Sequence, residues 1–284
     1  MRICLFFIVM TLSRVILSSP QIVRVITLPK ALFESSGLIY VKPYLWTLVD
    51  DKDTHLYAIY PNTGKVVKRL KLLGVKNRDW ESIAQDRHRI YVGDFGNNSG
   101  KRRWSTIYYF SKSKLQQASI RRINRIVFRY PGQTGKQVAY QHDFDTEAMV
   151  AAPHYLLLFT KNWASGNSNV YTVPKRSGRY EARYIMSLKT PGLITGAETF
   201  SQKLWLSGYR LTPLGFNVFL GSGRFISSRA HPLAEMHYAS VNMSCQAEGL
   251  AIRRASGWLV CEGDWHNKQD LAKLYYLKLS GIEK

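Results

Sequence analysis

The sequence repeats one pattern five times, and this repetition restricts the folds that the chain can adopt. Each copy begins near a glutamate: Glu34, Glu81, Glu147, Glu198 and Glu248. Successive glutamates are separated by 47 to 66 residues. Repeats of this length are typical of proteins that arrange similar structural units along a line or around an axis. The residues that follow each glutamate decide between these architectures.

Each glutamate is followed by short apolar runs that favour β-strands. In the second copy these are residues 90–92, 107–110 and 123–130. Tyr, Val, Ile and Trp dominate the runs and helical periodicity is scarce, which excludes a helical solenoid. The longest interval, between Glu81 and Glu147, also contains two inserted segments, residues 96–105 and 112–124, which we expect to project from a rim.

The fifth copy lacks a last strand, whereas residues 21–28 form a β-branched run before the first glutamate. We expect this run to complete the fifth unit. Four-stranded units repeated about every 50 residues are typical of propeller blades around a central channel. We therefore predict an all-β fold, a five-bladed β-propeller with four-stranded blades, formed by residues 21–284 as one domain and closed by the N-terminal strand.

Residues 1–20 differ in composition from the rest of the chain. Arg2 is followed by an apolar run over residues 3–10. A run of this length is typical of a secretory signal peptide, because a membrane span needs about 20 apolar residues. The sequence thus predicts a secreted or periplasmic protein, with an uncleaved N-terminal membrane anchor as the alternative.

The charge of the chain is strongly basic. It contains 40 Lys and Arg residues against 19 Asp and Glu residues, a formal net charge of +21. Several of the basic clusters fall on predicted outer strands and turns, where they protect strand edges and aid solubility. Alternatively, they attract an anionic polymer or an anionic membrane surface. No motif for sequence-specific nucleic-acid recognition is present, and we expect a monomer.

The first strand of each propeller blade lines the channel, so the repeated glutamates are predicted to meet there. Carboxylates in a narrow channel raise one another's pKa, recruit basic side chains or bind a cation. Oxygen ligands of variable geometry suit calcium best, so we predict Ca²⁺ in the channel. The candidate ligands are Glu81, Asp143, Asp145, Glu147, Glu198 and Glu248, with Glu34 and Asp94 as secondary candidates.

A salt-bridge network without a metal is the alternative for the channel. The predicted ends of the second strands add further acids, but they also add two bases, Lys161 and Arg210. These bases would neutralise acids directly and hold the blades in register. The further acids are Asp50, Asp51, Asp94, Glu262 and Asp264.

Three functions are compatible with an acidic channel inside a basic exterior. We favour a secreted binding or scaffold module that takes an unidentified ligand at the channel mouth. A metal-dependent hydrolase of phosphoester or lactone type is one alternative, and a binder of anionic polymers or membranes is another. No nucleophile elbow or Walker loop is present, so hydrolysis would depend on carboxylates or a metal. The candidate catalytic residues are Asp94, Asp145, Glu147 and Glu248.

Two cysteines, Cys245 and Cys261, flank the predicted inner hairpin of the fifth unit. Strand pairing about a turn near Ser256 would place Cys261 opposite a residue near Gly249, about four positions from Cys245. At about 3.3 Å per residue this offset exceeds the reach of a disulfide. We therefore predict two free thiols.

Three motifs in the first three copies occur in the same order in a known group of proteins. They are Asp-Trp-Glu-Ser-Ile-Ala at residues 79–84, Ile-Tyr-Val-Gly-Asp-Phe-Gly-Asn-Asn at residues 90–98 and Asp-Thr-Glu-Ala-Met at residues 145–149. In these motifs the chain resembles secreted bacterial β-propeller proteins that are grouped near phytase-like and WD-repeat-like propellers. The resemblance implies export and a propeller fold but no defined enzymatic activity. Asn97 stands where an aspartate is usual, and this departure weakens the case for a complete metal site.

Overall fold

The apolar runs form five small sheets in the computed structural model, which describes residues 19–226 and 233–279. The sheets surround one axis, because each innermost strand contacts the innermost strands of two neighbouring sheets. This arrangement is a five-bladed β-propeller and confirms the predicted fold. Most of the predicted signal peptide, residues 1–18, lies outside the described residues. Within those residues, no helix has the length and apolar character needed to cross a membrane.

The described residues form 22 strands and two short 3₁₀ helices, Lys30–Leu32 and Lys112–Gln116. The chain begins with β1 (Gln21–Thr27), and blade 1 follows with β2 (Ser35–Val41), β3 (Tyr44–Val49), β4 (His55–Ile59) and β5 (Val66–Leu72). Blade 2 contains β6 (Trp80–Gln85), β7 (Arg89–Asp94) and β8 (Ser105–Ser111), then, after the short β9 (Ser119–Ile120), β10 (Asn124–Arg129). Blade 3 contains β11 (Thr146–Ala151), β12 (Tyr155–Thr160) and β13 (Ser168–Pro174), then, after β14 (Gly178–Glu181), β15 (Arg183–Leu188). Blade 4 contains β16 (Leu193–Phe200), β17 (Lys203–Thr212), β18 (Gly215–Phe225) and β19 (Leu233–Ser240), and blade 5 contains β20 (Ala247–Arg253), β21 (Ser256–Cys261) and β22 (Lys273–Lys278).

The N-terminal strand closes the propeller as predicted. β1 pairs antiparallel with β22, so that Val25 lies opposite Tyr275 and Ile26 lies opposite Leu274. The order of the fifth sheet is therefore β1-β22-β21-β20. Because the first described strand and the last share one sheet, no blade is left with an incomplete outer edge.

The inserted segment at residues 112–124 does not project from a rim, and that expectation is wrong. Its strand β9 pairs in parallel with β5 of blade 1, and the side chains of Leu115 and Ile120 are buried in the core between blades 1 and 2. These apolar groups gain more from burial than from exposure. The segment covers the outer edge of blade 1, and β14 covers blade 2 in the same way by pairing in parallel with β10.

The core consists of five apolar clusters, each filling the space between two neighbouring blades. Trp46 of blade 1 and Trp80 of blade 2 share one cluster, and Tyr91 of blade 2 and Tyr171 of blade 3 share the next. A blade covered on both faces needs apolar residues at successive positions of its middle strands. This explains why the sequence shows continuous apolar runs rather than alternating ones.

All five innermost strands contain a β-bulge, one extra residue that breaks the pairing register with the second strand. The extra residues are Gly37, Glu81, Glu147, Thr195 and Glu248, and they identify the structurally equivalent positions of the five blades. Glu34 and Glu198 are each three residues away from this position. The prediction of five equivalent glutamates is therefore wrong, and only three of the five occupy the bulge.

Gly37 at the bulge of blade 1 meets a steric requirement. Its φ angle is +65°, and a methyl group there would lie 2.8 Å from the backbone nitrogen of Ile83 in blade 2. Only glycine combines this backbone conformation with so close an approach of two strands. The inner strands of blades 1 and 2 are thus packed backbone to backbone, which leaves no room there for the carboxylate that the repeat predicted.

Candidate functional site at the channel mouth

One end of the channel, which we call the mouth, contains the starts of the inner strands and the ends of the second strands. Antiparallel pairing places these chain segments side by side. The backbone nitrogen of Lys161 donates to the carbonyl of Asp145 at 2.6 Å, and that of Glu262 donates to Gln246 at 3.1 Å. Side chains from several blades therefore converge at this end.

Seven carboxyl groups and one ammonium group interact electrostatically at the mouth. They come from blades 1, 2, 3 and 5, and five of the eight residues are buried. We call them the mouth cluster: Asp50, Asp79, Glu81, Asp145, Glu147, Glu248, Glu262 and Lys161. The sequence predicted four of these acids as candidate ligands, and it placed Asp50, Glu262 and Lys161 at the ends of second strands.

Lys161 supplies the positive charge inside the mouth cluster. Its Nζ lies 3.2 Å from Glu147 Oε1, and both side chains are almost completely buried, 7% and 2% exposed. The same Nζ faces the rings of Trp163 and Tyr209 at 5.0 and 5.4 Å from their centroids. A buried ammonium with one carboxylate and two aromatic faces matches the salt-bridge alternative predicted for this base.

Burial and the surplus of acids over bases raise the pKa of several carboxyl groups at the mouth. Burial is the largest cause, and neighbouring acids add to it, so that the pKa values of Asp50, Glu248 and Glu262 are each about 8. Burial alone would lower the pKa of Lys161, but Glu147 and the other acids outweigh it and hold that pKa well above its usual value. At neutral pH the cluster therefore keeps a charged lysine and several protonated carboxyls.

Three acids of blade 2 have specific partners at the mouth. Asp79 and Glu81 share a hydrogen bond, and a side chain at Gly96 would overlap both of them. Asp94 pairs with Arg102, whose Nη1 lies 2.9 Å from Asp94 Oδ1. The Arg102 guanidinium thus opposes the effect of burial, which raises the pKa of Asp94, and both groups also interact with Asp79.

The inserted segment at residues 96–105 folds over the mouth instead of projecting from a rim. The backbone nitrogen of Asn97 donates to Asp145 Oδ1 at 2.5 Å, and its side chain donates to the carbonyl of Phe144 at 3.0 Å. Arg102 belongs to the same segment. Its role could not be recognised from the sequence, because Arg102 lies in a run of three basic residues that resembles an exposed surface cluster.

The remaining predicted site residues lie outside the mouth cluster. Asp143 accepts hydrogen bonds from the backbone nitrogens of Ala164 and Ser165 at 3.0 and 3.2 Å. Glu34 precedes β2 and shares a hydrogen bond with Asp50 at the edge of the mouth. Glu198 interacts with Lys112 near the opposite end of the channel, and Arg210 is exposed.

The mouth cluster does not form a ready-made metal site. Within residues 19–226 and 233–279, no group of three His, Cys, Asp or Glu side chains has an arrangement that could hold a metal ion. Two carboxylate oxygens in the cluster, Asp50 Oδ1 and Glu248 Oε2, are buried without a hydrogen-bond partner among these residues. Calcium in the channel stays a prediction, and these two oxygens are the atoms most in need of a partner.

A pocket opens beside the mouth cluster, between blades 4 and 5. Its volume is about 390 Å³, and its lining includes Phe216, Gln246, Glu262, Trp265 and Tyr275. Glu262 belongs both to this pocket and to the mouth cluster. Gln246 Nε2 donates to Glu262 Oε2 at 2.8 Å and orients the carboxyl group at the pocket edge. We call this cavity the mouth pocket.

A disulfide between Cys245 and Cys261 forms part of the pocket wall, so the prediction of two free thiols is wrong. The extra residue at Glu248 shifts the register between β20 and β21, and Cys261 lies opposite Ala247. Cys245 is then only two residues from the facing position, and the two Cα atoms are 5.9 Å apart. That distance lies within the usual range for disulfides.

Comparisons with known proteins bear on the fold. No protein-family model matches the chain, and no curated protein matches it in sequence. The glutaminyl cyclase of Myxococcus xanthus has a similar structure, with a TM-score of 0.53, 10% identity and coverage of 92% of this chain and 96% of that chain. The PQQ-bound aldose sugar dehydrogenase of Streptomyces coelicolor matches with a TM-score of 0.53 and 12% identity, over 92% of this chain and 98% of that chain. A hypothetical protein from Leishmania major matches with a TM-score of 0.51 and 11% identity, over 93% of this chain and 92% of that chain. The chain therefore shares the β-propeller fold of enzymes and of a protein without a stated activity, and at these identities the likeness concerns the fold alone.

Proposed function

We propose that the protein is a binding module that takes a positively charged ligand at the mouth of its channel. The observation that carries this proposal is the imbalance of the mouth cluster, in which seven carboxyl groups interact with one another and share one ammonium group. A bound cation would allow more of these carboxyls to ionise, whereas without one they retain protons. Calcium is the ion that we predict for this role, because it prefers carboxylate oxygens.

The unpartnered oxygens favour a ligand over a closed salt-bridge network. Glu248 Oε2 and Asp50 Oδ1 have no hydrogen-bond partner among the described residues, and an unsatisfied buried acceptor costs about 1–3 kcal/mol. Lys161 is already paired with Glu147 at 3.2 Å. A second cation would supply the partner that the lysine does not provide.

Elemental analysis of the purified protein, combined with melting curves in calcium and in chelator, tests the proposal. We expect bound calcium, a melting temperature several degrees higher in calcium than in chelator, and loss of this difference in Glu248→Gln. Glu181→Gln is the matched control, because Glu181 is half exposed and pairs with Arg129 on the outer edge. Absence of metal, together with identical melting curves in calcium and chelator, would exclude calcium as the ligand.

A metal-dependent or carboxyl-dependent hydrolase is the second candidate, and the position of Glu262 favours it. This carboxyl lies at the edge of the mouth pocket and its pKa is about 8 because of burial and of Asp50. A carboxyl that is protonated at neutral pH can act as a general acid. The variant Glu147→Gln separates the two functions. Hydrolysis of a phosphomonoester or lactone probe that disappears in a stable variant supports an enzyme, whereas a lowered melting temperature without any turnover in the parent protein supports a binding module.

A further inference from the structure

The mouth pocket combines an aromatic lining with carboxyl groups. Phe216, Trp265 and Tyr275 contribute aromatic surface, and the disulfide adds an apolar wall. Trp265 is 51% exposed, and its ring meets Phe33 edge-on with centroids 5.3 Å apart, which holds the indole in place. A volume of about 390 Å³ falls in the range of small-molecule sites, about 300–1,000 Å³.

The charge of this pocket is opposite in sign to that of the whole protein. Glu262, Asp264 and Asp270 line it, and Lys273 alone among the lining residues, all of which are described, is a lysine or arginine. Lys273 is already paired with Asp270 at 2.7 Å. Glu262 and Asp264 therefore have no salt-bridge partner among the described residues, and the one other titratable base in the lining is His266. Glu262 also interacts electrostatically with Asp50, Lys161 and Glu147 of the mouth cluster.

We propose that the mouth pocket binds an organic ammonium compound, with its cationic nitrogen at Glu262 and its apolar part against Trp265, Phe216 and Tyr275. Aromatic faces attract organic cations. An ammonium group bound beside Glu262 favours the ionised form of this carboxyl, which then accepts a charge-assisted hydrogen bond from the ligand. A hydrated metal ion would leave the aromatic lining unused, whereas an anionic ligand would be repelled by the carboxyls. The inference rests on the proposed function and names the chemical class of the ligand.

Three probes of similar shape and different charge test this inference: 2-phenylethylammonium, 2-phenylethanol and 3-phenylpropanoate. Their affinities for the whole protein are measured by calorimetry at pH 7. We expect the ammonium probe to bind at least tenfold more tightly than the alcohol, and the carboxylate probe to bind most weakly. The differences in affinity between the probes should become smaller as salt is added, because screening reduces the interaction between charges at a partly exposed site.

Two variants locate the site. Glu262→Gln should reduce the affinity of the ammonium probe at least tenfold and change that of the alcohol less than twofold. Trp265→Ala should weaken both probes, whereas Trp104→Ala, on the outer edge between Arg129 and Arg179, should weaken neither. Melting temperatures check that each variant is folded.

Equal affinities for the three probes, preference for 3-phenylpropanoate, or an unchanged affinity in folded Glu262→Gln would overturn the inference. Calcium titrations of the same preparations separate this result from the proposed function. Calcium binding without ammonium binding would support the cation site at the mouth cluster and would contradict an organic ammonium ligand in the mouth pocket. Ammonium binding without calcium binding would support the ligand proposed for the mouth pocket and would contradict calcium as the ligand of the mouth cluster.

Discussion

The two ends of the channel hold acids in contrasting surroundings. At the end opposite the mouth, Asp86 contacts Lys175 Nζ at 2.5 Å and accepts hydrogen bonds from the Tyr91 hydroxyl at 2.9 Å and from two backbone nitrogens. Burial acts to raise the pKa of Asp86, but these partners outweigh it and lower that pKa to about 2. At the mouth, burial and neighbouring acids raise the pKa values of Asp50, Glu248 and Glu262 to about 8.

This difference indicates which end is structural. Asp86 belongs to blade 2, whereas Lys175 follows the third strand of blade 3 and also donates to the carbonyl of Ala152 at 2.9 Å. The pair thus ties two blades together, and the carboxylate has no spare capacity for a ligand. At the mouth, Asp50 and Glu248 each keep a buried oxygen without a hydrogen-bond partner among the described residues, and this costs stability that a purely structural site would avoid. We infer that the mouth is the functional end.

Removing the only ammonium group of the mouth cluster should have the largest effect. Loss of one partner of a buried ion pair costs about 3–5 kcal/mol, and Lys161→Met should therefore lower the melting temperature by roughly 6 °C or more. The loss should be smaller at pH 5 than at pH 8, because the carboxyls then take up protons. Thermal melts at the two pH values measure it, with Lys52→Met at an exposed position as the control. An unchanged melting temperature would mean that the cluster does not depend on Lys161.

Replacing Asp86, the fully hydrogen-bonded acid at the end opposite the mouth, should have the next largest effect on stability. Because the folded pKa of Asp86 lies below its unfolded value, its contribution to stability is present above about pH 4 and is lost as the pH falls through about 2. Asp86→Asn should therefore destabilise the protein at neutral pH by about 1–3 kcal/mol and much less at pH 2. Urea unfolding at both values measures this. A neutral or stabilising substitution would remove the contrast between the two ends.

The blade count, the strand order and the closure by β1 were predictable because they follow from apolar runs and their spacing. The β-bulge was not predictable, because one extra residue in a strand does not change the composition of that strand in a recognisable way. The bulge position shows that Glu34 and Glu198 are not equivalent to the other three glutamates, and the register shift in blade 5 brings Cys245 within reach of Cys261. Local pattern determines which segments become strands, whereas register is decided by contacts between strands.

The candidate site was predictable to the extent that acids and Lys161 recur at strand ends. The mouth pocket was not predictable, because it is formed by loops of blades 4 and 5 that contact each other only in the folded chain. Arg102 was missed for a related reason, since a basic residue in a basic run gives no indication that it turns inward to Asp94. Sequence position thus identified the charged groups but not their partners.

Substituting an unsatisfied mouth acid should have the opposite sign to Asp86→Asn. The pKa of Glu248 is raised to about 8 in the folded protein, chiefly by burial. Folding therefore retains a proton that the unfolded chain releases near pH 4.5, and stability falls as the pH rises from about 4.5 to 8. Glu248→Gln should match the parent protein at pH 4.5 and melt a few degrees higher at pH 9. Thermal melts of both proteins from pH 4.5 to pH 9, in chelator, measure this difference in melting temperature. A variant that melts lower than the parent at pH 9 would contradict the prediction.

Glu198 gives the smallest and most discriminating test, because it is an exception at the opposite end. Its pKa is also about 8, but burial is the cause and Lys112 opposes it, with no acid among its neighbours, whereas Glu248 interacts with Glu262. Replacing Glu198, Glu248 or Glu262 singly with glutamine should stabilise the protein at pH 9. The effects of Glu198→Gln and Glu248→Gln should add to within about 0.5 kcal/mol, since distant sites act independently. Glu248→Gln and Glu262→Gln together should give less than their sum, because either one relieves part of the same repulsion. Additive effects for the second pair, measured by urea unfolding, would show that the mouth acids are raised by burial alone and do not act as a cluster.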